Sequence, residues 1–171
     1  MTSIIRHLRD GRTVLIRSME PRDIQLVDEM HDRLSPISLY YRYLTASKPS
    51  LTWLRSLLKA PNSMGITLVA EFPPHKGQIV GVACYVRQPE DPTIAEPGLL
   101  VEDRFQGVGL GRLLLHCLLE AAADEELTEF KIYVHPENSR MLILLDQCGF
   151  PAKRRYWDCL YEICMPLGAT S

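Results

Sequence analysis

Three glycines stand within five positions, immediately before a run of leucines. Residues 104–115 read RFQGVGLGRLLL, with Gly107, Gly109 and Gly111 at the start of an apolar helical pattern. Glycine destabilises a helix by up to ~1 kcal/mol relative to alanine, so another property must favour it here. Without Cβ atoms, the backbone can approach a ligand, and the first N–H groups of a helix are unpaired donors. The spacing indicates a phosphate or pyrophosphate site, although the glycines would also suit a tight strand-to-helix turn.

Two other phosphate-binding motifs fit this stretch less well. A P-loop requires Lys and Ser/Thr after its last glycine, whereas Arg112 and Leu113 follow Gly111. A dinucleotide-binding loop requires G-x-G-x-x-G, and the sixth position counted from Gly107 is Arg112. The P-loop is therefore excluded, and the match to a dinucleotide-binding loop is weak.

The elements that must position this loop follow from the spacing of apolar residues. A period of three to four predicts helices, and β-branched or apolar runs bounded by turn residues predict strands. Helices are expected over residues 21–33, from an N-cap at Ser35, from an N-cap at Ser50, over 110–123 and over 139–148. Strands are expected over 13–19, 65–72, 78–87, 93–101, 129–134 and 157–165, the last as one strand or a pair.

The predicted order is β-α-α-α-β-β-β-α-β-α-β, which is typical of an α+β protein with hairpins first and one strand–helix–strand unit later. The fourth predicted strand, residues 93–101, lies just before the glycine loop and contains Pro97-Gly98. Because proline cannot donate to a sheet ladder, we expect a bulge or a splayed edge there.

Composition narrows the class of protein. The chain has 171 residues, 46% of them apolar and 23% charged, which suits one globular domain. Its net charge of −2 argues against nucleic-acid and membrane-surface partners. Because we read neither a signal peptide nor a membrane-spanning run, we expect a cytoplasmic protein. The five cysteines are expected to be reduced and buried, and the scattered histidines predict no metal site.

Several motifs in order resemble those of the GNAT superfamily, the acyl-CoA-dependent N-acyltransferases. Residues 106–111 (QGVGLG) are similar to its Q/R-x-x-G-x-G/A pyrophosphate loop, and residues 99–103 (LLVED) to the strand that precedes it. Asn138 and Met141 match a later N-x-x-A/M helix, which ends in Gly149-Phe150. The resemblance extends from about residue 13 to 165, particularly to bacterial protein lysine acetyltransferases. It implies a GNAT fold, with a mixed, mostly antiparallel sheet flanked by helices, in a single domain over residues 12–168.

The resemblance also implies where acetyl-CoA would bind as co-substrate. Backbone amides of the loop would hold the pyrophosphate, and the strand before it would hydrogen-bond the pantetheine arm. The residues implied are Leu99, Leu100, Val101, Gln106, Gly107, Val108, Gly109, Leu110, Gly111 and Arg112. Asn138 would face the pantetheine or the thioester, and an N-cap role for it is compatible with this. Arg154 and Arg155 are expected either to meet the 3′-phosphate or to be only solvated.

In this family an amine attacks the thioester directly while a base removes its proton, often through water. Glu96, ten positions before Gln106, stands where related domains carry a glutamate base, although it could be a surface charge. Many family members place a tyrosine acid seven residues after the motif asparagine, and Leu145 occupies that position here. Either another group supplies the proton, or CoA leaves as the thiolate.

The acceptor side is expected in residues 38–44 (SLYYRYL), which resemble the S-x-x-Y-R-F/Y segment of the same branch. Tyr40 and Tyr41 would line the acceptor channel, unless this tyrosine-rich helix merely packs on the sheet. The acceptor would be a protein lysine or a small amine, and the protein a monomer or a homodimer. A catalytically weak CoA-binding module and a nucleotide-binding protein unrelated to CoA remain the alternatives.

Overall fold

A computed structural model describes residues 3–59, 64–74, 77–123, 125–149 and 151–168. Within these ranges eight strands form one sheet in the order β1-β2-β3-β4-β5-β6-β8-β7. Only the β5–β6 pair is parallel, and every other neighbouring pair is antiparallel. The strands are β1 (Ile4–His7), β2 (Thr13–Ser18), β3 (Gly65–Glu71), β4 (Ile79–Arg87), β5 (Ile94–Val101), β6 (Glu129–Val134), β7 (Lys153–Trp157) and β8 (Leu160–Pro166).

In the part of the chain that the structure describes, five α-helices accompany the sheet, and a short 3-10 helix (Asp103–Phe105) follows β5. The helices are α1 (Asp23–Asp32), α2 (Pro36–Tyr43), α3 (Leu51–Lys59), α4 (Leu110–Ala123) and α5 (Ser139–Asp146). The α2 helix begins as its sequence predicts, because the Ser35 side chain accepts a hydrogen bond from the Ser38 amide and proline occupies the first turn. Within the described ranges, no helix has the length and apolarity needed to span a membrane.

The sheet separates two apolar cores, which confirms the α+β architecture. The larger core packs α4 and α5 against one face and includes the fully buried Leu114, Phe130 and Ile163. The smaller core places α1, α2 and α3 on the other face, around Met30, Leu54 and Val69. The alternation of a strand places neighbouring residues in different cores, so Leu99 and Val101 pack with the first core and Leu100 with the second.

The sheet forks between β5 and β6. Strand β5 pairs with β4 over all but its first residue, from Gly81↔Val101 to Arg87↔Ala95. It pairs with β6 only at Ile94↔Glu129 and Ala95↔Phe130. From Pro97 onward the β6-facing edge of β5 is therefore open, and the expected splayed edge at Pro97-Gly98 is confirmed.

The structure extends the predicted elements at both ends of the chain. Strand β1 was not predicted, and it pairs with β2 across a turn in which Gly11 has φ +85°. The C-terminal segment is a pair of strands that begins at Lys153, earlier than the predicted residue 157. Residues 75 and 76, in the predicted β3–β4 turn, lie outside the described residues. None of the five cysteines forms a disulfide. Cys84 and Cys117 are buried as expected, Cys148 and Cys164 are only partly buried, and the expectation is wrong for Cys159, which is exposed.

Candidate active site

A cavity of about 550 Å³ lies over the fork of the sheet. Four segments form its walls: the glycine loop with the start of α4, the open edge of β5, helix α5, and helix α2. Of the predicted cofactor-binding residues, the cavity is lined by Leu99, Leu100, Val101, Gln106, Gly107, Gly109, Gly111, Arg112 and Asn138. Val108 and Leu110 do not line it, and the buried side chain of Leu110 belongs to the larger core.

The glycine loop has the backbone conformation that its sequence indicates. Gly107 has φ +76° and Gly109 φ +96°, a region that side chains with a Cβ rarely adopt. The first intrahelical bond runs from the Leu113 amide to the Gly109 carbonyl at 3.1 Å. The amides that precede it, up to Arg112, are thus the unpaired donors at the positive end of the α4 dipole. Such a turn suits a phosphate group.

Gly111 has a different role. It lies inside the first turn of α4, and a Cβ there would meet Leu99 Cδ2 at 3.6 Å and Leu144 Cδ2 at 3.7 Å. Those are ordinary contacts, so alanine fits this position, in agreement with the G/A of the loop pattern.

An arginine from the β1–β2 turn completes the loop, and the sequence analysis missed it. The Arg9 amide donates to the Val108 carbonyl at 3.0 Å. A Cβ on Gly109 would meet the Arg9 side chain, with Cγ and Nε at 3.7 Å. Arg9 and Arg112 both line the cavity here, so two cations accompany the backbone donors. Because β1 is short and largely exposed, no periodic signal pointed to this residue.

Gln106 joins three walls of the cavity. Its Nε2 donates to the Val101 carbonyl at 3.0 Å and to Ser38 Oγ at 3.2 Å. Its Oε1 accepts a hydrogen bond from Arg140 of α5. The motif glutamine thus fixes the loop to β5, α2 and α5 at once.

Asp103 provides a second attachment of α2. Its carboxylate accepts hydrogen bonds from the Ser35 amide at 2.9 Å, the Ser35 hydroxyl at 2.8 Å and the Ser38 hydroxyl at 2.8 Å. Burial acts to raise the pKa of Asp103, but these hydrogen bonds outweigh burial and leave the pKa lowered. A charged Asp103 therefore holds the start of α2 beside the loop.

The α5 wall contains the predicted asparagine. Asn138 caps the helix, with Oδ1 accepting from the Met141 amide at 3.2 Å, and it also lines the cavity. Leu145 is only 2% exposed and packs in the larger core, so no hydroxyl takes the position of the usual tyrosine. Phe150, the last motif residue, lies outside the described residues.

The α2 end of the cavity contains an aromatic cluster. Tyr41 lines the cavity, and its hydroxyl donates to the Glu137 carbonyl at 3.2 Å. Tyr40 stands just outside the lining, with its ring edge-on to His135 at 5.4 Å. His135, which follows β6, also lies 5.7 Å from the Tyr41 ring and was not singled out from the sequence.

Glu96 is exposed on β5, opposite Val86 and one residue beyond the last β5–β6 pair. It does not line the cavity but lies close to Tyr133 of β6. Burial first, then Glu162, raises the pKa of Tyr133, and the charge of Glu96 adds to this. Glu96 thus stands at the fork, on the sheet face opposite α4.

The remaining sequence predictions concern the 3′-phosphate and metals. Arg154 contacts Asp146, Arg155 contacts Glu162 at 3.0 Å, and neither arginine lines the cavity. Among the described residues, no group of three or more His, Cys, Asp or Glu side chains is arranged to hold a metal ion.

The chain is similar to known proteins both in sequence and in fold. The model of the acetyltransferase (GNAT) family matches residues 27–150. Acetyltransferase Pat of Mycolicibacterium smegmatis is 26% identical over 149 residues, which are 87% of this chain and 44% of that protein. The chain thus spans less than half of this relative's length.

Two solved structures share the fold. The GNAT domain of the S. lividans PAT superposes with a TM-score of 0.87 at 22% identity, over 96% of this chain and 97% of that one. The structure of yncA, described as a putative acetyltransferase from Salmonella typhimurium with its cofactor acetyl-CoA, gives a TM-score of 0.71 at 19% identity. This superposition covers 90% of the present chain and 92% of the yncA chain.

Proposed function

Because the chain belongs to the acetyltransferase (GNAT) family, we propose that it transfers an acetyl group from acetyl-CoA to a primary amine. The acceptor is a protein lysine or a small amine, and the functional unit is the domain spanning residues 12–168. One observation carries the proposal: a single cavity connects the glycine loop, the open edge of β5 and helix α2.

The residues of this cavity fit coenzyme A from end to end. The pyrophosphate lies on the α4 amides, where Arg9 and Arg112 add positive charge. The pantetheine arm runs along residues 99–101 as an additional strand would, because β6 leaves that edge unpaired. Asn138 and the apolar side of α5 cover the arm from above.

The reaction requires little covalent help from the protein. The amine nitrogen attacks the thioester carbonyl carbon, the C–S bond breaks, and CoA leaves as the thiolate while the nitrogen loses one proton. A lysine amine has a reference pKa near 10.4, so at neutral pH a base must first take up a proton. Backbone N–H groups on the open β5 edge stabilise the oxygen that becomes negative.

We assign the base to Glu96. It is the carboxylate of β5 at the fork, two residues from Gly98, and its exposure lets it pass the proton to solvent through water. The leaving thiolate needs no acid, because a thiol with a reference pKa of about 8.5 is a tolerable leaving group near neutral pH. This agrees with the burial of Leu145.

Tyr40 and Tyr41 bind the acceptor in this proposal, together with His135. Their rings surround the α2 end of the cavity, where an alkylamine chain can pack on aromatic faces.

The position of Glu96 outside the cavity lining favours one alternative, a CoA-binding module with little or no catalysis. Thiol release separates the two functions. Acetyl-CoA is incubated with a lysine peptide or a polyamine, and free CoA is followed with a thiol reagent. Amine-dependent release supports the enzyme, whereas CoA binding without release supports the module.

A further inference from the structure

The guanidinium of Arg42 packs against the sheet at the edge of the cavity. Arg42 lies on α2, yet its guanidinium reaches across to the backbone of Gly98 on β5. A Cβ at position 98 would collide with the guanidinium, with Nε at 3.0 Å. Arg42 also lines the cavity, so it stands where β5 leaves β6, at the end away from the glycine loop.

The half-buried arginines elsewhere each have a carboxylate partner. Arg17 binds Asp23 at 2.6 Å, Arg33 binds Glu102 at 2.9 Å, and Arg87 binds Glu125 at 3.2 Å. Within the described ranges, no carboxylate lies within ion-pair distance of Arg42. Its contacts are the Cys84 thiol, with Nη2 to Sγ 3.6 Å, and the Tyr43 ring, 4.9 Å from Cζ.

A guanidinium in this position has donors to offer. Its planar fork matches a carboxylate with two parallel hydrogen bonds, and withdrawal from water strengthens such a pair. Stacking on Tyr43 and contact with Gly98 restrict the side chain before any ligand arrives, which lowers the entropic cost of binding.

We propose that Arg42 binds a carboxylate carried by a substrate. The inference rests on the proposed function, because that function places the reacting thioester at the fork. Two sources present the same chemistry there: the distal carboxylate of a dicarboxylic acyl group such as succinyl, or the carboxylate of an amino-acid acceptor. Arg42 is then a specificity-determining residue.

The donor arm of the test is calorimetry with acetyl-CoA and succinyl-CoA. If the carboxylate comes from the acyl group, we expect the wild-type protein to bind succinyl-CoA at least about tenfold more tightly than acetyl-CoA. Arg42→Gln should abolish that ratio and Arg42→Lys should retain part of it. The wild-type ratio is informative even if a variant folds poorly.

The acceptor arm uses protein saturated with CoA. It compares Nα-acetyl-lysine with Nα-acetyl-lysine amide, which lacks the carboxylate. If the carboxylate comes from the acceptor, we expect the acid to bind at least about tenfold more tightly and Arg42→Gln to remove the difference.

Failure of this inference is distinct from failure of the proposed function. Equal affinities for the two acyl-CoAs, together with equal or undetectable binding of both acceptor probes, would overturn the role of Arg42 alone. A protein that binds neither acyl-CoA would overturn the proposed function as well. If Arg42→Gln slowed turnover of both donors equally and left every affinity ratio unchanged, Arg42 would act on the reaction without binding a carboxylate, and the inference would be overturned.

Discussion

The Ser38 hydroxyl donates a hydrogen bond of 2.8 Å to the carboxylate of Asp103. This bond joins α2 to the segment that leads from β5 into the glycine loop. Together with the hydrogen bond from Gln106 to Ser38, this contact fixes the α2 end of the cavity relative to the glycine-loop end. Since the same carboxylate also binds Ser35, loss of its charge should loosen the whole start of α2.

Asp103→Asn should lower the free energy of unfolding by about 1–3 kcal/mol, because it removes charge-assisted hydrogen bonds. The lowered pKa also has a consequence for pH. The stability from Asp103 is complete above its ordinary pKa of 3.8 and is lost as pH falls through the lower folded-state value. Urea unfolding at pH 7 and at pH 3 measures both effects.

Asp158→Asn is the matched control, because Asp158 is an exposed turn residue with φ +48°, a conformation that asparagine tolerates. It should leave the unfolding free energy nearly unchanged. Equal effects of the two substitutions would contradict the role assigned to Asp103.

Gly109→Ala should weaken CoA binding at least about tenfold. Alanine would be forced to adopt a φ of +96°, and relief of that strain would distort the amides proposed to face the pyrophosphate. Gly168→Ala, at φ +101° with nothing within 4 Å, is the control for backbone strain alone. Gly111→Ala should change CoA affinity only slightly, because a Cβ there makes ordinary contacts. An equal loss of CoA affinity in the Gly109→Ala and Gly168→Ala variants would exclude a specific role for the loop.

Glu96→Gln should lower kcat by about 10²-fold while CoA affinity stays unchanged, because the amide keeps the shape but cannot accept the amine proton. Steady-state kinetics at saturating substrates and calorimetry with CoA separate the two quantities. Glu90→Gln, an exposed carboxylate before β5, is the control and should keep full activity. Unchanged turnover in the Glu96 variant would remove it from the mechanism.

Protonation of His31 should lower the free energy of unfolding as the pH falls below about 6.5. Its Nδ1 donates to the Val27 carbonyl at 2.7 Å, so its Nε2 accepts from the Tyr43 hydroxyl, also at 2.7 Å. Burial lowers the pKa of His31 below 6.5. Its neutral form is thus favoured in the folded state, and stability is complete above pH 6.5 and declines as pH falls toward the folded-state pKa.

Urea unfolding at pH 8 and pH 5.5 tests this, with His31→Gln expected to flatten the difference. Tyr43→Phe should cost about 1 kcal/mol at pH 8, because it leaves Nε2 without a donor. A wild-type protein equally stable at both pH values would refute the arrangement.

Local signals predicted much of the fold. Leucine spacing gave α4 its observed bounds of Leu110–Ala123, and Ser35-Pro36 marked the start of α2. Strand β1 carries no such signal, because its four residues are mostly exposed and owe their conformation to pairing with β2.

The candidate site was predicted where it depends on backbone conformation and missed where it depends on tertiary contact. The closely spaced glycines indicated the loop from the sequence, and two of them adopt the positive φ expected of such a turn. The sequence did not indicate the positions of Arg9 and Arg42, because Arg9 is placed by the contact of the β1–β2 turn with Val108 and Arg42 by the fork at Gly98. Pro97 predicted a bulge or a splayed edge in β5, but only the observed strand pairing shows that the open edge is the one facing β6.

Calorimetric titration of the wild-type protein with CoA, beside pantetheine, which lacks the diphosphate, tests the central claim most directly. If the α4 amides bind the pyrophosphate, CoA binds at one site per chain with a Kd between about 1 μM and 1 mM, and pantetheine binds far more weakly. No heat with CoA, or equal affinities for CoA and pantetheine, would contradict the account.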